Sequence, residues 1–235
     1  MPALPAAPLW SRLLSFSTPG TAVIFRDREQ AAQTLASRLA AYKGRNPLVL
    51  AIPRGAVPMA KIVARELDGE FDVVLVRKLG APGNPEFAIG AIDETGWAYL
   101  APYAGEVGAD AVYIERVKER ELATIRARRA QYSPLRPPRD PKGRVVVVID
   151  DGLATGATMI AALHALRAKA PERLICAVPV APPDTLKRVG QYADEVLCLH
   201  ADENFRAVGQ FYLHFGQVED EEVMALLAED GANGG

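Results

Sequence analysis

The stretch VVVVIDDGLATGATM, Val145 to Met159, sets two adjacent carboxylates directly behind five apolar residues and follows them with small residues and two threonines. The run Val145 to Ile149 is β-branched throughout, the pattern of a strand buried on both faces, as the inner strands of a parallel sheet are. Asp150 and Asp151 then fall at its carboxyl end. Gly152 to Thr158 is too small and too hydroxylated for a core, whereas Met159 to Ala168 carries apolar residues at helical spacing. The unit reads as strand, tight loop, helix.

Open α/β sheets bind ligands at the carboxyl ends of their strands, where loops feed into helix amino termini. A helix start presents unpaired N–H groups and positive dipole character, and Gly156 and Ala157 let an anion approach the backbone closely. A phosphate fits such a place. Thr155 and Thr158 add hydroxyl donors, or one of them simply caps the helix. The two acids bear on the choice, because neighbouring carboxylates repel each other and a cap needs one at most. Beside a phosphate cradle they suit a ligand with hydroxyls to be accepted or a magnesium ion to be held. A sugar phosphate supplies both.

VVVVIDDGLATGAT closely resembles the signature of the type I phosphoribosyltransferases: four or five apolar residues, two acids, then a loop closing on Thr-Gly-x-Thr. The resemblance implies that Asp150 and Asp151 hold the ribose hydroxyls of 5-phosphoribosyl 1-diphosphate and its Mg2+. It also implies that Ala154, Thr155, Gly156, Ala157 and Thr158 bind the 5-phosphate. The implied fold is α/β, a twisted, mostly parallel sheet with helices on both faces and a small hood built from the chain ends.

Two further loops become readable beside that signature. In LVLAIPRGAVP, Pro53, Arg54, Gly55 and Ala56 stand at another strand end, where the family binds pyrophosphate through backbone N–H groups, often with a non-proline cis peptide. The matching bond is Pro53–Arg54; the alternative is an ordinary turn before a helix. DVVLVRK ends in Arg77 and Lys78, two cations suited to a diphosphate, and a similar pair lines the pyrophosphate in orotate-type members. The block Leu79 to Ala91 resembles that of a bacterial subgroup whose acceptor is not established, and this likeness runs from about Phe25 to Leu227. The chain departs from the subgroup at Ala56, where glycine is common.

The remaining chain bounds the reading. At 235 residues, with 49% hydrophobic and 24% charged residues and a net charge of −2, the composition is that of an ordinary globular protein with no basic surface for nucleic acid. Cys176 and Cys198 lack metal-ligand spacing and read as buried free thiols in a reducing cytosol. No apolar run is long enough to cross a membrane and no leader pattern opens the chain, so a cytoplasmic protein is expected. The expected organisation is an arm over 1–20, one phosphoribosyltransferase-like domain over 21–228 and a flexible tail over 229–235. TAVIF reads as a short strand, FDVVLVRK as one buried strand, and the glycine- and proline-rich segment after it as a mobile loop running into a hairpin. The long helix Ala109 to Tyr132 carries both charge signs, and its arginines read as a solvated face.

The resemblance implies that a nitrogen of an acceptor attacks C1 of the ribose and expels magnesium pyrophosphate, with the loop Leu79 to Glu94 closing over the site. In 6-oxopurine enzymes the loop after the paired acids carries a third aspartate, and the matching residue here is Ala154. Those enzymes place a lysine after a later strand, where AVPVAPP has none. Hypoxanthine and guanine are therefore disfavoured. Phe205 is placed to cover a flat acceptor, while Phe211, Tyr212 and Phe215 read as core, and His164, His200 and His214 as structural. The expected activity is a magnesium-dependent phosphoribosyltransferase acting on a small nitrogenous acceptor, as a homodimer by family habit. The competing expectation is a non-enzymatic sensor of phosphoribosyl diphosphate or a nucleotide on the same fold.

Overall fold

The computed structural model describes residues 13–15 and 24–231, with side chains from 24 to 229. One sheet runs in the order β1 (Leu13–Ser15), β9 (Glu195–Ala201), β8 (Arg173–Ala181), β7 (Val145–Ile149), β2 (Leu48–Ala51) and β3 (Glu70–Val73), numbered along the chain. Every neighbouring pair in it is parallel. The run Val145–Ile149 is central and wholly buried, as its β-branched composition requires.

Successive residues of a strand point to opposite faces, and the two cores divide accordingly. Val145, Val147 and Ile149 join Val49 and Ala51 on one face, where α1 (Arg28–Arg38) and α2 (Val57–Glu66) contribute Leu35, Met59 and Val63. Val146 and Val148 join Leu48 and Leu50 on the other, under α4 (Ala157–Arg167) and α5 (Pro183–Val189). Helices thus cover both faces. Local chemistry starts them where the chain leaves the strands: Asp27 accepts from the Gln30 N–H at 2.8 Å to cap α1, and Pro58 lies in the first turn of α2.

The segment expected as one strand, FDVVLVRK, is two. β3 ends at Val73, the chain leaves the parallel sheet through Val74 and Leu75, and β4 (Val76–Ala81) opens a separate antiparallel sheet with β5 (Asn84–Asp93) and β6 (Ala98–Leu100). The stretch expected as a mobile loop running into a hairpin does hold antiparallel hairpins, but they begin at β4 with no long loop ahead of them. Its glycines permit close approach: a Cβ on Gly80 would lie 2.5 Å from the Pro85 carbonyl oxygen, and one on Gly90 2.2 Å from that of Tyr99. The arginines of α3 (Ala111–Tyr132) are not all solvated either. Arg129 clasps Glu94 with two hydrogen bonds of 2.7 and 2.6 Å, and Arg128 reaches Asp220 of α6 (Asp220–Gly231).

The segment before α1 meets the segment after β9 beside the carboxyl end of β7. Phe25 donates its N–H to Phe211 (2.7 Å) and accepts from Leu213 (2.8 Å), forming a bridge with Tyr212. Of TAVIF only Ile24 and Phe25 are described, and Phe25 makes that single bridge. Of the stretch 1–20 only Leu13–Ser15 is described, as β1 beside β9. At the other end α6 runs to Gly231, and 232–235 lie outside the described residues. Among the described residues no helix is long and apolar enough to cross a membrane.

Candidate active site

β2 and β7 are neighbours in register, with Ala51 opposite Ile149, so the chain leaves both strands at one level of the sheet. Pro53–Ala56 and Asp150–Asp151 consequently lie side by side. The Pro53–Arg54 peptide is cis. The loop backbone abuts the acids so closely that a Cβ on Gly55 would fall 2.1 Å from Asp151 Oδ2; only glycine fits there. Ala56 is fully buried at the start of α2, and its methyl group is accommodated without displacing the turn.

The loop after the acids is held from the next strand and helix. Leu153 N–H donates to the Val180 carbonyl at 2.9 Å, and Thr185 Oγ1 donates to that of Ala154 at 2.8 Å. Gly156, at φ +75°, is the N-cap of α4, and a Cβ there would press on Thr185 Cγ2 at 2.8 Å. A left-handed turn and a close neighbour together require glycine. The Ala157 N–H points to Thr155 Oγ1 at a loose 3.5 Å, and Gly156 offers no side-chain cap, so the first turn of α4 keeps its N–H groups for an anion. Ala154 is exposed, Thr155 and Thr158 half-exposed, and Gly156 and Ala157 buried. Arg188 of α5 donates to Thr185 Oγ1 at 2.9 Å and to the Thr155 carbonyl at 3.4 Å, which puts a cation at the edge of this loop.

Burial and the neighbouring Asp151 charge hold the Asp150 carboxyl well above its ordinary range. Burial raises Asp151 as well, and Arg28 opposes the rise. Arg28 Nε and Nη2 both approach Asp151 Oδ2 at 2.9 Å, while Nη1 donates to the Gly216 carbonyl at 2.6 Å and the guanidinium lies 3.9 Å from the centre of the Phe215 ring. Tyr212 Oη donates to the Asp151 carbonyl at 2.7 Å, and burial pushes that phenol far up. The hood is thus tied to the acids by two side chains.

The three cations expected from the sequence pair with carboxylates. Arg77, on β4, donates to Glu121 of α3 at 2.9 Å, and Lys78 donates to the Glu86 carboxylate and carbonyl at 3.0 Å. Arg54 reaches Glu219 at 3.3 Å and Asp220 at 3.7 Å. Phe205 is half-buried with its ring 5.4 Å from Phe211. Phe211 and Tyr212 are core, but Phe215 is 38% exposed under Arg28, so the reading of it as core is corrected. Val208 packs against Gly152, where a Cβ would lie 2.7 Å from Val208 Cγ1. His164 stacks on Trp97 with centroids 3.6 Å apart, and His200 is buried. Arg28, Arg188, Val208 and the Tyr212 hydroxyl escape a reading of the sequence; each reaches the site through a contact far along the chain that no local pattern signals.

Whether the acids fit magnesium can be judged from the donor set. Among the described residues no group of three or more His, Cys, Asp or Glu side chains converges on one point, so an all-protein cage is not on offer. Mg2+ commonly takes one or two carboxylates and completes its shell with waters and substrate phosphates. Asp150 and Asp151 fit that mode.

Residues 24–215 match the family described as the phosphoribosyl transferase domain. Proteins of Mycobacterium tuberculosis strains CDC 1551 and H37Rv, provisionally named phosphoribosyl transferases, are each 42% identical over 205 residues, covering 87% of this chain and 46% of theirs. The chain thus spans about half the length of the curated relatives it matches. The crystal structure of TT1426 from Thermus thermophilus is similar with a TM-score of 0.74 and 49% identity, over 88% of this chain and 99% of that one.

Proposed function

The chain belongs to the phosphoribosyl transferase domain family, and on that premise we propose that it transfers the phosphoribosyl group of 5-phosphoribosyl 1-diphosphate to a small nitrogenous acceptor. The observation that carries the reading is the meeting of three elements at one level of the sheet: the acids Asp150 and Asp151, the Gly55 turn in contact with Asp151, and the helix start at Gly156. Their succession suits a ligand with phosphate at one end, hydroxyls in the middle and diphosphate at the other. The α4 start and Thr155 and Thr158 take the 5-phosphate, the acids accept from the ribose hydroxyls, and the loop Pro53–Ala56 takes the diphosphate. In the reaction a bond forms from the acceptor nitrogen to C1, the bond from C1 to the diphosphate oxygen breaks with its electron pair on pyrophosphate, and the acceptor's proton passes to solvent. Asp150 and Asp151 would hold a magnesium ion that neutralises the diphosphate. Fixing the two reacting partners in line is what the rigid strand ends contribute.

The acceptor is not hypoxanthine or guanine on this reading. Ala154 accepts no proton, and Pro182 and Pro183 follow β8 where a lysine would be needed. Phe205 is the residue proposed to cover the acceptor. One observation favours the second reading, a sensor that binds the same ligand without turnover: Arg77 and Lys78, the expected leaving-group cations, are paired with Glu121 and Glu86. A screen of free bases and amines for pyrophosphate release from phosphoribosyl diphosphate and Mg2+ separates the two. Release with one acceptor class supports the transferase, and ligand binding with no release from any class supports the sensor.

A further inference from the structure

Arg28 lies beside both Asp151 and Gly55 of the diphosphate loop, while Arg77, Lys78 and Arg54 pair with Glu121, Glu86 and Glu219. Resting on the phosphoribosyl reading above, we propose that Arg28 is the leaving-group cation, held on Asp151 until ribose hydroxyls take its place and then turned to the diphosphate on the Pro53–Ala56 loop. The geometry has three parts. Both Nε and Nη2 converge on Asp151 Oδ2 at 2.9 Å, so the pair leaves Oδ1 out and is open to exchange with a hydroxyl donor. A Cβ on Gly55 would lie 3.2 Å from Arg28 Nε, so the guanidinium stands beside the turn on which the diphosphate would sit. The Gly216 carbonyl and the Phe215 ring hold the other side of the guanidinium.

The charge arithmetic gives the exchange its direction. Arg28 is only 14% exposed, so its charge is weakly screened and needs a partner in every state of the site. Unliganded, Asp151 is that partner. When ribose hydroxyls donate to Asp151, a planar guanidinium with five donors matches the diphosphate oxygens at least as well. The charge that builds on the leaving group as the bond to C1 breaks is then met by a group already in place.

Two probes isolate this role in calorimetric titrations of the whole chain: pyrophosphate in the presence of a chelator, which removes metal bridging, and ribose 5-phosphate. Arg28→Gln is expected to weaken pyrophosphate at least tenfold while leaving ribose 5-phosphate within twofold or tighter, since Asp151 loses a competitor. Asp151→Asn, which frees Arg28, is expected to tighten pyrophosphate, a result that a merely structural clamp would not produce. Arg28→Lys keeps the charge and is expected to retain part of the pyrophosphate affinity, and it stands in should the glutamine variant not fold. Unchanged pyrophosphate affinity in Arg28→Gln, or equal losses for both probes with the fold retained, overturns the assignment. Wild-type protein that binds neither probe, nor phosphoribosyl diphosphate with Mg2+, overturns the phosphoribosyl reading as well.

Discussion

Replacing Asp150 with asparagine should raise the stability of the unliganded protein, and by more than the same change at the next residue. Asp150 lies at the end of a buried strand, with burial and the Asp151 charge both opposing its ionised form. Single stabilising substitutions commonly yield about 0.5 to 2 kcal/mol, the gain expected where an active-site charge burdens the fold. For a chain of this size that is a rise of roughly 1 to 8 °C in Tm. Asp151 is also raised, but it neutralises Arg28, and their contacts of 2.9 Å join two side chains that are 14% and 15% exposed. Losing the charge there weakens bonds to an ionised group worth about 1.5 to 3 kcal/mol, which offsets the relief of burial and should leave Asp151→Asn below Asp150→Asn by roughly 3 to 12 °C. The pH dependence has a definite sign. A carboxyl raised in the folded state binds more protons there than when unfolded, so stability falls as pH rises through its folded pKa, and the handicap is complete above it. The advantage of Asp150→Asn over wild type should therefore be largest at neutral pH and vanish below the ordinary carboxylate pKa. Scanning calorimetry of both variants, from about pH 3 to about pH 8, reads this. A Tm of Asp151→Asn equal to or above that of Asp150→Asn, or a gain that grows as pH falls, would refute the reasoning.

Three further outcomes follow from the same geometry. Gly156→Ala should destabilise by about 1 to 2 kcal/mol, because φ is +75° and the added Cβ meets Thr185 at 2.8 Å, and a thermal melt no lower than wild type would contradict it. Arg188→Gln should weaken ribose 5-phosphate several-fold without altering pyrophosphate affinity, as measured by titration, since its guanidinium stands at Thr155 and not at the Gly55 turn. Phe205→Ala should raise KM for the acceptor found in the screen more than KM for phosphoribosyl diphosphate, and efficient turnover of guanine or hypoxanthine by the wild type would show the acceptor pocket to be misread.

The parts of the fold that are legible in the sequence are those where one local pattern has one structural solution. Five β-branched residues before two acids and a small loop leave little but a central parallel strand feeding a helix, and Val145–Ile149 is that strand. FDVVLVRK misleads because an unbroken apolar run shows no period, and nothing in it marks Val74 and Leu75 as the passage from one sheet to another. The segment after it reads as mobile only when glycine and proline are equated with flexibility. Gly80 and Gly90 are there because neighbouring backbone comes too close for a side chain. In the site, the two strand-end loops are legible because their ligand contacts are assigned to backbone and to residues adjacent in sequence. Arg77 and Lys78 are assigned to the diphosphate by their place at a strand end and their likeness to orotate-type members, and the acids that pair with them, Glu121 on α3 and Glu86 on β5, belong to packing the sequence does not display. Arg28 lies 123 residues from Asp151, inside what reads only as a helix start, so the contact exists only once the fold closes.

The most direct measurement is a calorimetric titration of phosphoribosyl diphosphate with Mg2+ into the wild-type chain and into the double variant Asp150→Asn, Asp151→Asn. Two ribose hydroxyls that lose charged acceptors should forfeit about 1.5 to 3 kcal/mol each, so the double variant should bind roughly a hundred- to ten-thousandfold more weakly. Equal affinity in the two proteins would contradict the assignment of the strand-end acids to ribose.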